Sequence, residues 1–337
     1  MKFSIGYRLP DARDCLPQIV SDYSEAVSEV YFAMPGDSSG RLPLGLEEDW
    51  SISEADSVLR GELVEISEMG TVCVVLFNAS CYGAEAQSAG LEDNVCRKVE
   101  GLLHEKIRLS AVTTTSPFIA QVLKRRFPGL EIRASVNMRV GSVEAMEYLS
   151  ACFDAFYMQR DYNRNLKHVG ILKGWCDSNG RKLLLLANSG CLKFCPFQSF
   201  HDNLVAHEVE RRHGDGTAGF PAPCWKHLAD ARNRWQVLRN TWIRPEDIHH
   251  YEGLFPTVKL ATRMHDNPRK VIAAYAAGNY KGNLLELMEP SYVPLFGDAV
   301  IDNRLFPSDW FKRTSNCSSD CNSCKYCESV FQTVCFL

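Results

Sequence analysis

Short apolar runs alternate with longer amphipathic stretches along most of the chain. The runs Phe3–Arg8, Val30–Met34, Val72–Asn78, Arg108–Thr113, Glu131–Val136, Ala155–Gln159, Leu183–Asn188 and Val258–Arg263 read as strands. Helical spacing of apolar positions falls around 16–28, 53–68, 92–105, 117–126, 142–152, 164–175, 245–252 and 267–288. A strand followed by a helix forces the next strand to run parallel. Eight such units over roughly 290 residues fit a closed (β/α)8 barrel of the TIM type, an α/β fold. An open doubly wound sheet would place a Gly-rich phosphate loop after the first strand, where Arg8-Leu-Pro-Asp11 stands instead.

The connections obey local rules. Pro117 follows Ser116 at a helix start, where its missing N–H leaves no intrahelical bond unmade. Pro245 opens Arg244-Pro-Glu-Asp247, with Glu246 and Asp247 in the first turn, where the helix dipole favours them. One connection is too long for an ordinary loop: about 55 residues separate Asn188 from Arg244. The expected organisation is therefore a barrel domain over 1–290 with an insertion at 189–244 after the seventh strand. A cysteine-rich, irregular tail follows over 291–337. Within the insertion, the charged and Gly-rich stretch Glu208–Gly219 reads as flexible.

Composition narrows the class. The 337 residues are 45% hydrophobic and 23% charged, with a net charge of −4. That is ordinary globular composition with no global electrostatic case for nucleic acid. The longest apolar runs fall far short of the ~20 residues that a spanning helix needs, so no membrane role is expected. Met1-Lys-Phe-Ser-Ile-Gly6 lacks the apolar region and cleavage site of a signal peptide. The expected compartment is the cytoplasm, where clustered cysteines read as metal ligands rather than disulfides.

Half of the 14 cysteines fall in two clusters. The tail carries Cys317-x3-Cys321-x2-Cys324-x2-Cys327, four thiols within eleven residues. That density suits an iron–sulfur cubane, with zinc as the alternative; zinc sites more often use two Cys-x2-Cys knuckles spaced apart so that the chain surrounds the ion. The first three tail cysteines also match the spacing of radical enzymes that cleave S-adenosylmethionine. In that family, however, the motif follows the first barrel strand, whereas here ten residues remain after it.

The second cluster is Cys191-x3-Cys195, with Cys224 beyond a 28-residue gap. It directly follows the seventh strand, on the face where barrels build active sites. Cys81, after the third strand, belongs to the same face and is a candidate fourth ligand. The competing reading for these thiols is burial as small hydrophobes. His201 reads equally as a second-shell donor or proton shuttle and as a solvated loop histidine. His249 and His250, adjacent on a short helix, are expected to point to different faces.

Polar residues at the strand ends line that face too: Asn78, Asn137, Arg139, Arg160, Asp161, Asn188, Lys259 and Arg263. Singly, each reads as a surface ion-pair former. As a converging set they suggest an anionic or polar substrate, since arginine grips carboxylate or phosphate bidentately. The chain contains no Gly-x-Ser-x-Gly, His-Glu-x-x-His or phosphate-loop motif.

Several segments together resemble the collagenase-like peptidase family, peptidase family U32. They are Val30-Tyr-Phe32, Arg133-Ala-Ser-Val-Asn137, Tyr157-Met-Gln-Arg-Asp-Tyr-Asn-Arg-Asn165, Ala187-Asn-Ser-Gly-Cys-Leu-Lys-Phe-Cys-Pro-Phe197, Ile243-Arg-Pro-Glu-Asp247, Val258-Lys-Leu-Ala-Thr-Arg263 and Tyr280-Lys-Gly-Asn-Leu284. The resemblance covers roughly residues 1–290. It implies a barrel core with a cysteine-bound cluster of the 4Fe-4S type, carried best by Cys191 and Cys195 and less directly by Cys224. It also implies oxygen-independent hydroxylation of a small aromatic substrate such as the ubiquinone ring, or of RNA bases, with an electron donor and a paralogous partner protein. The family name implies a peptidase instead, and a non-catalytic iron–sulfur partner or maturation protein is the third reading. The tail cluster departs from the family pattern and raises the expected number of clusters to one or two.

Overall fold

The barrel strands are apolar on both faces because both faces are covered. In the computed structural model, which describes residues 1–11, 13–40, 50–207 and 222–336, eight strands close in sequence order. They are β1 Phe3–Gly6, β2 Val27–Ala33, β3 Val72–Phe77, β4 Leu109–Thr114, β5 Glu131–Ala134, β6 Ala155–Tyr157, β7 Lys182–Leu186 and β8 Val258–Lys259. All pairings are parallel, and β8 closes the ring on β1. The expected (β/α)8 barrel is the fold.

Strand parity sorts the side chains. Val30, Phe32, Val75, Val112, Ile132 and Leu185 point outward into the main core under the helices. Their neighbours Tyr31, Ala33, Val74, Leu76 and Ala111 pack inside the lumen, as do Ala155, Tyr157 and Leu184 across from them. The same parity turns Ser4, Glu29, Arg133 and Lys259 inward. Glu29 accepts from Ser4 Oγ at 2.5 Å and pairs with Arg133 Nη1 at 2.7 Å, so the lumen holds an ionic layer.

Helices α1 Leu16–Asp22, α2 Ile52–Glu68, α3 Ala89–His104, α4 Pro117–Arg126, α5 Val143–Leu149 and α6 Leu166–Ser178 separate the strands. Ser116 caps α4 by accepting from Ile119 N at 3.2 Å, with Pro117 in the first turn. The insertion is not a bare loop. It carries α7 Gln198–Ala206, α8 Pro223–Ala229 and a 3-10 turn at Ala231–Arg239, and a further 3-10 turn, Pro245–Tyr251, follows it in place of the helix expected over 245–252. The stretch Glu208–Gly219, expected to be flexible, lies outside the described residues.

Three expectations about elements need correction. The first helix ends at Asp22 and β2 already begins at Val27, because the Tyr23–Ala26 turn closes with hydrogen bonds from Ala26 N and Val27 N to Tyr23 O. The helix expected over 267–288 stops at Ala277 (α9 Pro268–Ala277), where Gly278 takes a left-handed φ of 63° and caps it. The tail is ordered rather than irregular. It forms α10 Val293–Phe296, β9 Val300–Ile301, α11 Trp310–Ser315, α12 Tyr326–Val334 and β10 Cys335–Phe336, with β10 antiparallel to β9. Ile301, Trp310, Val330 and Val334 join the main core, and Trp310 stacks on Trp242 of the insertion at 6.0 Å. The tail is thus fastened to the inserted segment. Among the described residues no helix is long and apolar enough to cross a membrane.

Candidate functional site

The loop after β7 is built by its own polar side chains. Asn188 is fully buried: its Nδ2 donates to Ala261 O at 3.0 Å and Leu287 O at 2.9 Å, and its Oδ1 accepts from Ala261 N at 2.6 Å. It therefore ties β7 to the strand-end of β8 and to the 284–287 turn, instead of lining the substrate face as expected. Gly190 N donates to Glu289 O at 2.8 Å, and a side chain at 190 would collide with the Pro290 carbonyl oxygen. Only glycine permits that approach. Phe194 then takes a left-handed φ of 53°, and its N–H donates to the Asp161 carboxylate. Asp161 also accepts from Gln159 Nε2 at 2.7 Å, so it holds the cysteine loop in shape.

That loop delivers Cys191 and Cys195 into one cavity with Cys224, lined also by Arg160, Trp225 and Tyr292, of about 1030 Å³ including its opening. Arg160 Nη1 lies 3.5 Å from Cys191 Sγ. Burial pushes the Cys195 thiol above the usual thiol range, and the neighbouring Cys191 and Cys224 push the same way; Arg139 opposes them. Arg139 thus acts on the cysteines. The Tyr292 hydroxyl is buried without a hydrogen-bond partner among the described residues, and burial followed by the three thiols holds it protonated. A buried donor facing sulfur, beside three thiols, is a donor set that fits a sulfur-rich anionic group. Among the described residues no three Cys, His, Asp or Glu side chains already stand at metal-holding distances. The three thiols share that one cavity. Cys81, the candidate fourth ligand, is not among the residues lining it; its sulfur accepts from Gly83 N at 3.3 Å.

The tail cysteines lie against the outer side of the same loop. Cys317, Cys321 and Cys327 line a second cavity of about 680 Å³ with Arg160, Arg164 and Lys193. Lys193, between Cys191 and Cys195 in sequence, donates to Ser319 Oγ at 3.1 Å. Burial raises the Cys327 thiol, with Cys317, Cys321 and Cys324 adding to the rise and Arg164 opposing it. Arg164 donates to Leu238 O at 3.0 Å and Asn240 O at 2.7 Å, but its buried Nη1 has no acceptor among the described residues. Its guanidinium lies over Trp242 and Trp310, 4.9 and 5.5 Å from their centroids. Burial lowers both Arg164 and Lys193, and the tail thiols work against that lowering.

A third cavity, of about 570 Å³ including its mouth, opens over the barrel axis between Asn78, Asn137, Lys259, Arg263 and Arg160. Asn78 Oδ1 accepts from Ser39 Oγ and Gly40 N, both at 3.1 Å, and Arg263 Nη1 donates to Ser39 Oγ at 3.3 Å. Arg160 is common to all three cavities.

Known proteins bear on this geometry. A protein of Methanocaldococcus jannaschii named uncharacterized protease MJ1657 is 26% identical over 259 residues, 74% of each chain. The solved U32 peptidase Mk0906 superposes with a TM-score of 0.54 at 16% identity, over 77% of this chain and 92% of that one. The chain is similar to the collagenase-like U32 peptidase family. No protein-family model matches it.

In this chain the strand-end residues divide by task. Asn78, Asn137, Arg160, Lys259 and Arg263 converge on the axial cavity. Asn188 and Asp161 are committed to backbone, and Arg139 lowers the Cys195 thiol from a distance without lining its cavity. His201 lines the Cys191 cavity. His249 and His250 do not diverge; their ring centroids are 3.9 Å apart, because His250 is drawn onto Phe311 at 3.8 Å. Sequence reasoning missed Arg164, Lys193, Glu289 and Tyr292. Lys193 was in plain view inside Cys191-x3-Cys195. Tyr292 carried no local signal, because what brings it to the thiols is the turn at 284–287.

Proposed function

We propose that this protein is an iron–sulfur enzyme of oxygen-independent redox or hydroxyl-transfer chemistry. Its substrate would be a small anionic, aromatic or nucleic-acid compound. In this reading Cys191, Cys195 and Cys224 hold one cluster beside the barrel mouth, and Cys317, Cys321, Cys324 and Cys327 hold a second. The observation that carries it is the pair of thiol groups on opposite sides of one loop, with Arg160 lining both cavities and the axial one. A bound cluster supplies one-electron transfer, and two adjacent ligand sets beside a substrate cavity suit that chemistry.

The chain's own residues would do the rest. Arg160 and Arg263 attract and orient an anionic group. The Tyr292 hydroxyl donates toward sulfur, and Arg164 and Lys193 offset the negative charge that four thiolates bring to the tail. The peptidase reading rests on the names of the relatives. A thiol nucleophile needs a depressed pKa, whereas burial moves Cys195 the other way.

The deciding experiment is purification without oxygen, followed by iron, zinc and acid-labile sulfide per chain. About eight irons with matching sulfide supports both sites, and about four supports one. Zinc without sulfide overturns the reading. Peptide hydrolysis by metal-free protein would move the assignment to a peptidase.

A further inference from the structure

Among the described residues Lys259 is the one lysine that strand parity turns into the barrel lumen, and its amine can do more than attract an anion. It stands at the carboxyl end of β8, 8% exposed, on the floor of the axial cavity. Its Nζ lies 3.7 Å from the centroid of Tyr31 and 5.1 Å from that of Tyr157. Among the described residues it has no ion pair or hydrogen bond from that nitrogen. The nearby carboxylate, Glu29, is already held by Arg133 and Ser4. Arg263 and Arg133 add like charge. A buried ammonium without its own counter-ion is costly, so the neutral amine is favoured. Burial first, then Arg263, bring Lys259 down to about 7, with Glu29 opposing. A neutral amine at neutral pH is a nucleophile.

What the amine faces defines the partner. Arg160 and Arg263 border the cavity, with the side-chain amides of Asn78 and Asn137 beside them and Glu289 also lining it, so that two guanidinium groups stand against one carboxylate. Arginines recognise carboxylate, and amide N–H groups donate to a carbonyl oxygen. The enclosed part of the cavity is small, which restricts the ligand to a compound of a few heavy atoms.

We propose that Lys259 captures a small carboxylate-bearing carbonyl compound as an imine in this cavity. The Nζ lone pair adds to the carbonyl carbon and forms the C–N bond. The two amine protons end on the carbonyl oxygen, which leaves as water, and C=N replaces C=O. No oxidant or reductant is needed, and the step is independent of whether either cysteine group binds metal.

Borohydride trapping tests this on the full chain. Pyruvate with sodium borohydride should fix one adduct per chain, mapped by peptide mass to Lys259. Acetone, which lacks the carboxylate, should label at least ~10-fold less. Lys259→Arg should give no adduct. Absence of a pyruvate adduct, or labelling spread over surface lysines and unchanged in Lys259→Arg, overturns the proposal. If that variant fails to fold, mapping on the unaltered chain decides alone. Running the same trap on metal-free protein separates this inference from the iron–sulfur reading: an adduct there stands even if no cluster ever binds.

Discussion

The two cysteine groups share one loop yet sit in opposite surroundings. Cys191, Cys195 and Cys224 face a wide cavity walled by Leu192, Val205, Trp225 and Met264, next to the barrel mouth. The tail group faces Arg164 and Lys193, with Cys317 and Cys324 exposed. Thiolates are the same ligands in both places, so the difference lies in dielectric and charge. An apolar wall raises the cost of anionic charge, and buried cations lower it. The first group is placed to meet a substrate. The second reaches the surface at Cys317 and Cys324 while touching the loop of the first through the Lys193–Ser319 contact.

The largest effect expected is the separation of the two groups by mutation. Cys191→Ser with Cys195→Ser should remove the metal of the mouth and leave that of the tail. Cys321→Ser with Cys324→Ser should do the reverse, each halving the iron per chain. Loss of all iron in either pair would break the comparison, because it would mean a single site shared by both loops.

Next comes Arg164→Met, which removes the buried cation beside Cys327. Metal retention by the tail against a chelator should weaken about 10–100-fold, with the mouth unchanged. A loss at both sites would show that Arg164 supports the fold and not one group.

Asp247, whose carboxyl interacts with Arg244 and Arg164 behind the tail, gives a pH test. Burial raises it from 3.8 to about 6, against the pull of Arg244. The folded chain then keeps a proton that the unfolded chain releases. This group's stabilisation is complete below the unfolded value and is lost as pH rises through the folded one. Denaturant titration should show about 2–3 kcal/mol more stability from it near pH 4 than near pH 7. Asp247→Asn should flatten that slope relative to the unaltered chain.

Tyr292→Phe is the smallest and the most discriminating. Without metal, deleting a buried hydroxyl that has no partner should change stability by less than about 1 kcal/mol, in either direction. With metal bound, the same deletion should loosen the mouth group and leave the tail as it was. Equal effects in both states would mean that the hydroxyl never serves the thiols.

Much of the barrel was legible because it rests on local periodicity. The strands at 72–77, 109–114 and 131–134 and the helix Pro117–Arg126 stand within a residue or two of where the apolar pattern puts them. The strand ends were overrun at Asn78, Val136 and Asn188, where the chain leaves the ladder without a break in pattern. At Asn188 the reason is visible: its side chain replaces ladder bonds with bonds of its own. Of the candidate site, the grouping of Cys191, Cys195 and Cys224 was readable from spacing, as was the convergence of Arg160, Arg263 and Lys259 at the strand ends. The tasks of Asp161 and Arg139 were not, since a carboxylate that holds a turn and one that holds a substrate look the same in a sequence.

The sequence by itself determined the (β/α)8 architecture, the strand-end position of Lys259 and the two dense groups of thiols. Each follows from residue type and spacing over a few neighbouring positions. Only the tertiary structure decided that the tail lies against the β7 loop, that Tyr292 and Arg164 face the thiols, and that Asn188 serves the backbone. The Lys193–Ser319 contact joins positions 126 residues apart. Contacts of that range depend on how packed elements fall together after the core has formed, and no local pattern of apolar and polar residues records them.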